Sequence, residues 1–287
     1  VYKIDVGICL LYVVTMLSQQ NKLRDWIDES LLNGYILYSN PHAMDYLNTH
    51  TDKINWHWLS RNPNAIELLK ANPDKIEWRM LSRNPTAIEL LRTNPDKIDW
   101  YWLTLNPNAI ELLRTNSDKI DWYWLSLNPN AMDLLKENPD KINWVGLSQN
   151  PNAVEILKAN PGKIDWNELS QNPNAIELLT ANPDKINWDT LSNNPNAIEM
   201  LRENLDKINW WWLSLNPNAM DLLKEKPDKI NWVWLSINPF IFTYDYEAMY
   251  KKTQIFTEEL MQQVYHPRRL ANNLYEYNYD IGEETYN

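Results

Sequence analysis

From Asp52 to Pro239 the chain repeats one phrase nine times, Asp-Lys-Ile-(Asn/Asp)-Trp-x-x-Leu-Ser-x-Asn-Pro-Asn-Ala-Ile-Glu-Leu-Leu-x-x-Asn-Pro, every 22 residues with no insertion or loss. A register kept that strictly marks stacked supersecondary units, each leaving an apolar face that its neighbours cover. The core of such a chain grows by repetition, so 287 residues predict one domain rather than two globular ones. Positions are numbered here from the Asp, so that Asp52, Asp74 and Asp96 each stand at position 1.

Asn or Asp at position 4, as in Asn55 and Asp99, is preferred helix N-cap chemistry, with Glu77 the exception. Ile54 and Leu59 stand at the two ends of a hydrophobic staple, and Trp56 shares the face of Leu59. A second helix is predicted from Asn62-Pro63, where Asn caps and Pro takes the first helical position. Its Ala, Ile, Leu and Leu at positions 14, 15, 17 and 18 form a broad apolar stripe. Asn-Pro at 21–22 ends it, and proline at this frequency disfavours strands. Helices of about seven and nine residues do not persist alone in water. The expected fold is therefore all-α, an elongated solenoid of short helix pairs (α, with 3-10 left open as the alternative) with about ten repeats, a gently curved rod on the order of 90–100 Å long.

The predicted organisation is an N-terminal segment and cap (1–29), a repeat solenoid (30–239) with a degenerate first repeat (30–51), and a C-terminal helical cap (240–287). The register survives at Asn40-Pro41 and Ala43-Met44, with Gly34 where Trp belongs. Residues 244–279 alternate apolar and charged residues at helical spacing, and His266-Pro267 is read as opening a last helix. The apolar run Val6–Leu17 is too short to span a bilayer and lacks a small-residue cleavage site. It is read either as sequence upstream of a start at Met16, with 1–15 then outside the native protein, or as a hydrophobic flap on the first repeat.

A net charge of −11 and a pI near 4.9 argue against nucleic acid and an anionic membrane surface as partners. The single cysteine, Cys9, gives neither a disulfide framework nor a thiol metal site. No cofactor is implied: Gly-rich phosphate loop, HExxH, nucleophile elbow and Cys/His dyad are all missing from the sequence. The position-16 carboxylates, Glu67 through Asp221, recur beside bases and lack the convergence that calcium needs. His42, His50, His57 and His266 are spread over repeats and caps. Catalysis brings unlike groups together, whereas this chain spaces like groups evenly, so no catalytic, cofactor-binding or metal residue is expected.

The lines DKINWxxLSxNPNAIxLL resemble the short tandem repeats of the large nucleocytoplasmic DNA viruses, the giant viruses of protists. The resemblance covers nearly everything after Leu23, including Leu23-Arg-Asp-Trp-Ile-Asp28, Glu258-Glu-Leu-Met and Val264-Tyr-His-Pro-Arg-Arg269. It implies a viral product acting during infection, in the host cytoplasm or in the virion, and it carries no enzymatic role. More loosely, the phrase resembles the leucine-rich variant repeat, in which short helices including 3-10 turns alternate.

Positions 6, 7 and 10 vary among the copies and project from one side of the first helix, which makes them available for recognition. Along the array they give two aromatic-aliphatic patches around a polar middle, with a basic aromatic edge toward the amino end. The candidate partner-binding residues are Trp58, Tyr101, Trp102, Leu105, Tyr123, Trp124, Leu127, Trp211, Trp212, Leu215, Trp234 and Ile237. Position 7 also accepts Gly146, Glu168 and Thr190, which predicts exposure there, and exposed Trp, Tyr and Leu are the composition of interaction hot spots. The invariant Trp at position 5 is read as core, so that Trp100 and Trp122 are expected to be sealed while Trp102, Trp124, Trp212 and Trp234 face water. Three readings of the stripe remain open: docking of a host or viral protein, packing between repeats, and self-association. The expected function is a non-enzymatic scaffold or adaptor, with a virion or self-assembling structural component as the alternative.

Overall fold

A computed structural model describes residues 21–50, 54–251 and 254. The chain from Leu23 to Thr243 is one compact unit, an all-α repeat solenoid. The expectations for Val6–Leu17 and His266-Pro267 lie outside the described residues, as does most of the C-terminal segment, of which 246–251 are helical.

The sixth repeat shows how the phrase folds. Asn143 Oδ1 accepts from the backbone N–H groups of Val145 and Gly146 and so opens the first helix, Trp144–Gln149. After Asn150-Pro151 a turn leads to the second helix, Val154–Ala159, and a 3-10 turn, Pro161–Lys163, leads into the next repeat. Leu147, Ala153 and Leu157, at positions 8, 14 and 18, are fully buried between the two helices. One detail differs from the sequence reading. Pro at position 12 opens a separate turn, 3-10 in several repeats (Pro63–Ala65, Pro129–Ala131), before the second helix; Glu77, the exception at position 4, makes no capping hydrogen bond.

Adjacent repeats are joined by buried polar groups. Each position-11 asparagine donates through Nδ2 to two backbone carbonyls of the preceding repeat: Asn150 reaches Ser126 O and Asn128 O, both at 2.9 Å. Its Oδ1 accepts from Asn152 N at 2.9 Å. Ser148 Oγ donates to Trp144 O at 2.8 Å and accepts the N–H of Asp165 in the next repeat at 3.0 Å. Among the described residues no buried side-chain nitrogen or oxygen is left without a hydrogen-bond partner, as low-dielectric burial requires.

This ladder has no end. Asn40, in the degenerate first repeat, donates to Ser236 O at 3.0 Å and Asn238 O at 2.9 Å in the last. Ser236 Oγ accepts the N–H of Asn33 at 2.8 Å, and His42 Nδ1 lies 3.0 Å from Pro239 O. Arg24 N–H donates to Ile241 O, and β1 (Asn21–Leu23) pairs with β2 (Phe242–Tyr244). Ten asparagines, Asn40 through Asn238, thus form one circle of hydrogen bonds, all between 2.7 and 3.2 Å. The repeat unit is a closed ring. The elongated rod is corrected accordingly, and residues 30–51, instead of standing at a free end, serve as the tenth segment of the circle.

Closure follows from the wedge shape of the repeat. First helices such as Trp122–Leu127, Trp144–Gln149 and Trp166–Gln171 pack directly on one another, while successive second helices lie farther apart. Long side chains bridge the wider gaps, as in Arg114–Glu137 and Arg202–Glu225. Ten such wedges turning about 36° each complete a circle, with the narrow first-helix layer inside and the second helices outside.

The closest inner approach is between repeats five and six. A Cβ at Gly146 would stand 2.5 Å from the carbonyl oxygen of Tyr123. Gly146→Ala is therefore expected to cost about 1–3 kcal/mol, measured by denaturant unfolding; a neutral variant would mean that the helix slides aside freely.

Candidate functional site

Positions 6, 7 and 10 point away from the buried Leu of the first helix and so line the inner wall. Half-burial at positions 7 and 10 has a geometric cause, since side chains on a concave wall crowd one another. Electrostatics agree with that placement. Burial lowers the Arg61 guanidinium and raises the Glu168 carboxyl, which Asp165 raises further. The outer Arg114 and Lys158 are instead raised by their glutamate partners.

The expected division between sealed and water-facing tryptophans is not what forms. Trp102, Trp124, Trp212 and Trp234 fall in the same half-buried class as Trp100 and Trp122. Position 5 is thus not fully buried core, and position 7 is not an open surface. The two rows differ in what they touch. Position-5 rings pack on the leucine core, and at Trp78, Trp100, Trp122, Trp166 and Trp188 the position-2 lysine of the next repeat lies over the ring, with Lys119 4.4 Å from Trp100 and Lys141 4.7 Å from Trp122. Position-7 rings lie along the wall against neighbouring aromatic or basic groups. Trp124 meets Tyr101 edge to face at 5.7 Å, and Trp234 meets Trp211 at 5.1 Å. These contacts are the inter-repeat packing that was one of the open readings. Trp58 is the exception, packing on the core.

The exposed row is position 6. Tyr101 is 45% and Trp211 39% accessible, while Tyr123, Leu105, Leu127, Leu215 and Ile237 are half-buried beside them. Tyr101, Trp102, Tyr123 and Trp124 come together in one patch, and Trp211, Trp212 and Trp234 in another. Trp58 and His57 stand apart from both, 5.2 Å from each other. The arc between the patches on one side carries Glu168 and Asp189, and on the other Arg61, Arg79 and Arg83.

No family model, curated protein or solved structure matches this chain. The wall itself offers no metal cluster: among the described residues no three His, Cys, Asp or Glu side chains could hold an ion. Among the same residues no helix is long and apolar enough to cross a membrane.

Two roles escaped sequence reasoning. Asn at position 11 was read only as a cap, and Lys at position 2 was given none. A signal for the first was present: position 4 interchanges Asn and Asp, whereas position 11 never accepts Asp. A cap needs only an acceptor, but the ladder needs a donor as well.

Proposed function

We propose that this protein is a non-enzymatic interaction scaffold, a ring whose inner wall holds a segment of a protein partner. The observation that carries the reading is the pair of aromatic patches, each ending in an exposed ring, Tyr101 or Trp211. They sit five repeats apart in a circle of ten, and so face each other. First helices about 8–10 Å apart put their axes on a circle of about 13–16 Å radius. Allowing about 5–6 Å for helix and side chains leaves an opening about 15–20 Å across. One helix or one extended strand fits that width, with aromatic anchors on both sides. The resemblance of the repeat phrase to those of giant viruses supports a viral product acting in the infected cell.

The reading is tested by placing a photo-crosslinking residue at Tyr101, at Trp211 and, on the outer layer, at Glu177. A partner caught from both inner positions, missed from Glu177 and lost in the Tyr101→Ser/Trp211→Ser variant is the expected result. Equal capture from all three positions would refute it. The structural-component alternative requires chain-to-chain contacts, but closure leaves no solenoid ends for head-to-tail growth. A monomer by light scattering at high concentration removes that alternative.

A further inference from the structure

Arg61, Arg79 and Arg83 break the charge pattern of the ring. On the outer layer Arg92, Arg114 and Arg202 each meet a glutamate. The three inner arginines form no ion pair among the described residues, and Glu77, the carboxylate nearest in sequence, is exposed and forms none either. The guanidinium carbons of Arg79 and Arg83 lie instead 5.4 and 5.6 Å from the ring centre of Trp102. Arg61 occupies the same position as Arg83 one repeat earlier, close enough for their charges to repel. Burial, and then that repulsion, push Arg83 down to about 10. Both groups still carry their charge at neutral pH, so losing a proton does not relieve the strain.

A chain of net charge −11 has carboxylates in excess, yet among the described residues none forms an ion pair with these three; the nearest cap, Asp99, is engaged by the Trp102 N–H at 3.1 Å. We infer that Arg61, Arg79, Arg83 and Trp102 form an oxyanion site on the inner wall, which receives a phosphate or carboxylate group. Guanidinium forks match both groups bidentately, and the Trp102 face keeps two of them oriented. Assigning that group to the protein segment held in the ring rests on the function proposed above; the binding of the anion does not.

The test uses the purified chain at constant ionic strength, with chloride replaced by inorganic phosphate or by glutarate, and follows thermal unfolding. The wild-type midpoint is expected to rise by several degrees in at least one of the two salts. Arg61→Gln/Arg83→Gln removes the repulsion, so its midpoint in chloride should lie above wild type while its anion response falls to the general salt effect. Arg92→Gln should respond as wild type does. Phosphate acting alone identifies a phosphorylated group as the ligand, and glutarate acting alone or beside it an acidic side chain. Should the double variant not fold, calorimetric titration of Arg79→Gln replaces it, with at least a tenfold loss of affinity expected. A wild-type midpoint that does not distinguish these salts from chloride, or a response that survives in the arginine variants, overturns the site. Only salts are titrated, so that failure would leave the crosslinking result standing, and failure of the crosslinking would leave the anion site standing.

Discussion

Removing one whole repeat, residues 140–161, is expected to lower the unfolding midpoint by more than about 10 °C and to abolish the single cooperative transition. In an open solenoid such a deletion subtracts one module and one interface, and the remaining repeats stack as before. A ring cannot shrink that way. Nine wedges would each have to turn about 40°, straining every Asn and Ser contact of the seam, or the circle would open. Opening leaves Asn40 Nδ2, the carbonyls of Ser236 and Asn238 and the Asn33 N–H without their partners, and uncovers core Leu and Ala on two faces. Light scattering should then show association through those faces. A drop of only a few degrees in a protein that stays monomeric would mean that the first and last repeats do not depend on each other.

Asn150→Ala is expected to cost about 3–5 kcal/mol by chemical denaturation. It removes two donated bonds and one accepted bond, all at 2.9 Å, from a fully buried site. Each bond contributes about 1 kcal/mol net, and a buried carbonyl left without its donor adds about 1–3. Asn150→Asp is the sharper variant. It keeps size and shape but offers oxygen to two carbonyl oxygens, so its cost should at least equal that of alanine. Asn40→Ala probes closure with the same chemistry, because its two bonds span the first and last repeats. A negligible effect there beside a full effect at Asn150 would show the circle to be open in solution.

The local parts of this fold were legible because their chemistry is local. Asn143 caps the helix that follows it, and Leu147, Ala153 and Leu157 mark the buried faces at helical spacing. The closed circle was not legible, since it depends on a turn per repeat that must accumulate to a full revolution, and a few degrees of error would give a helix or an arc. The ladder lay between these cases. It joins residues 22 and 24 apart, beyond any capping pattern, yet the refusal of position 11 to accept Asp recorded it. At the candidate site, tolerance of substitution at position 7 predicts exposure. Trp124 and Trp234 show instead that a position can vary freely and still be covered, because a concave wall lets a large ring lie against its neighbour. A small residue, as at Gly146, lets the backbone close up.

Tandem copies in a gene misalign readily during recombination, and an open array inherits the resulting gains and losses as proteins slightly longer or shorter than before. A circle sealed between Asn40 and Asn238 denies the gene that latitude. Its number of copies is a quota set by the angle of one wedge, and a lineage that drifts to nine or eleven must also change the wedge.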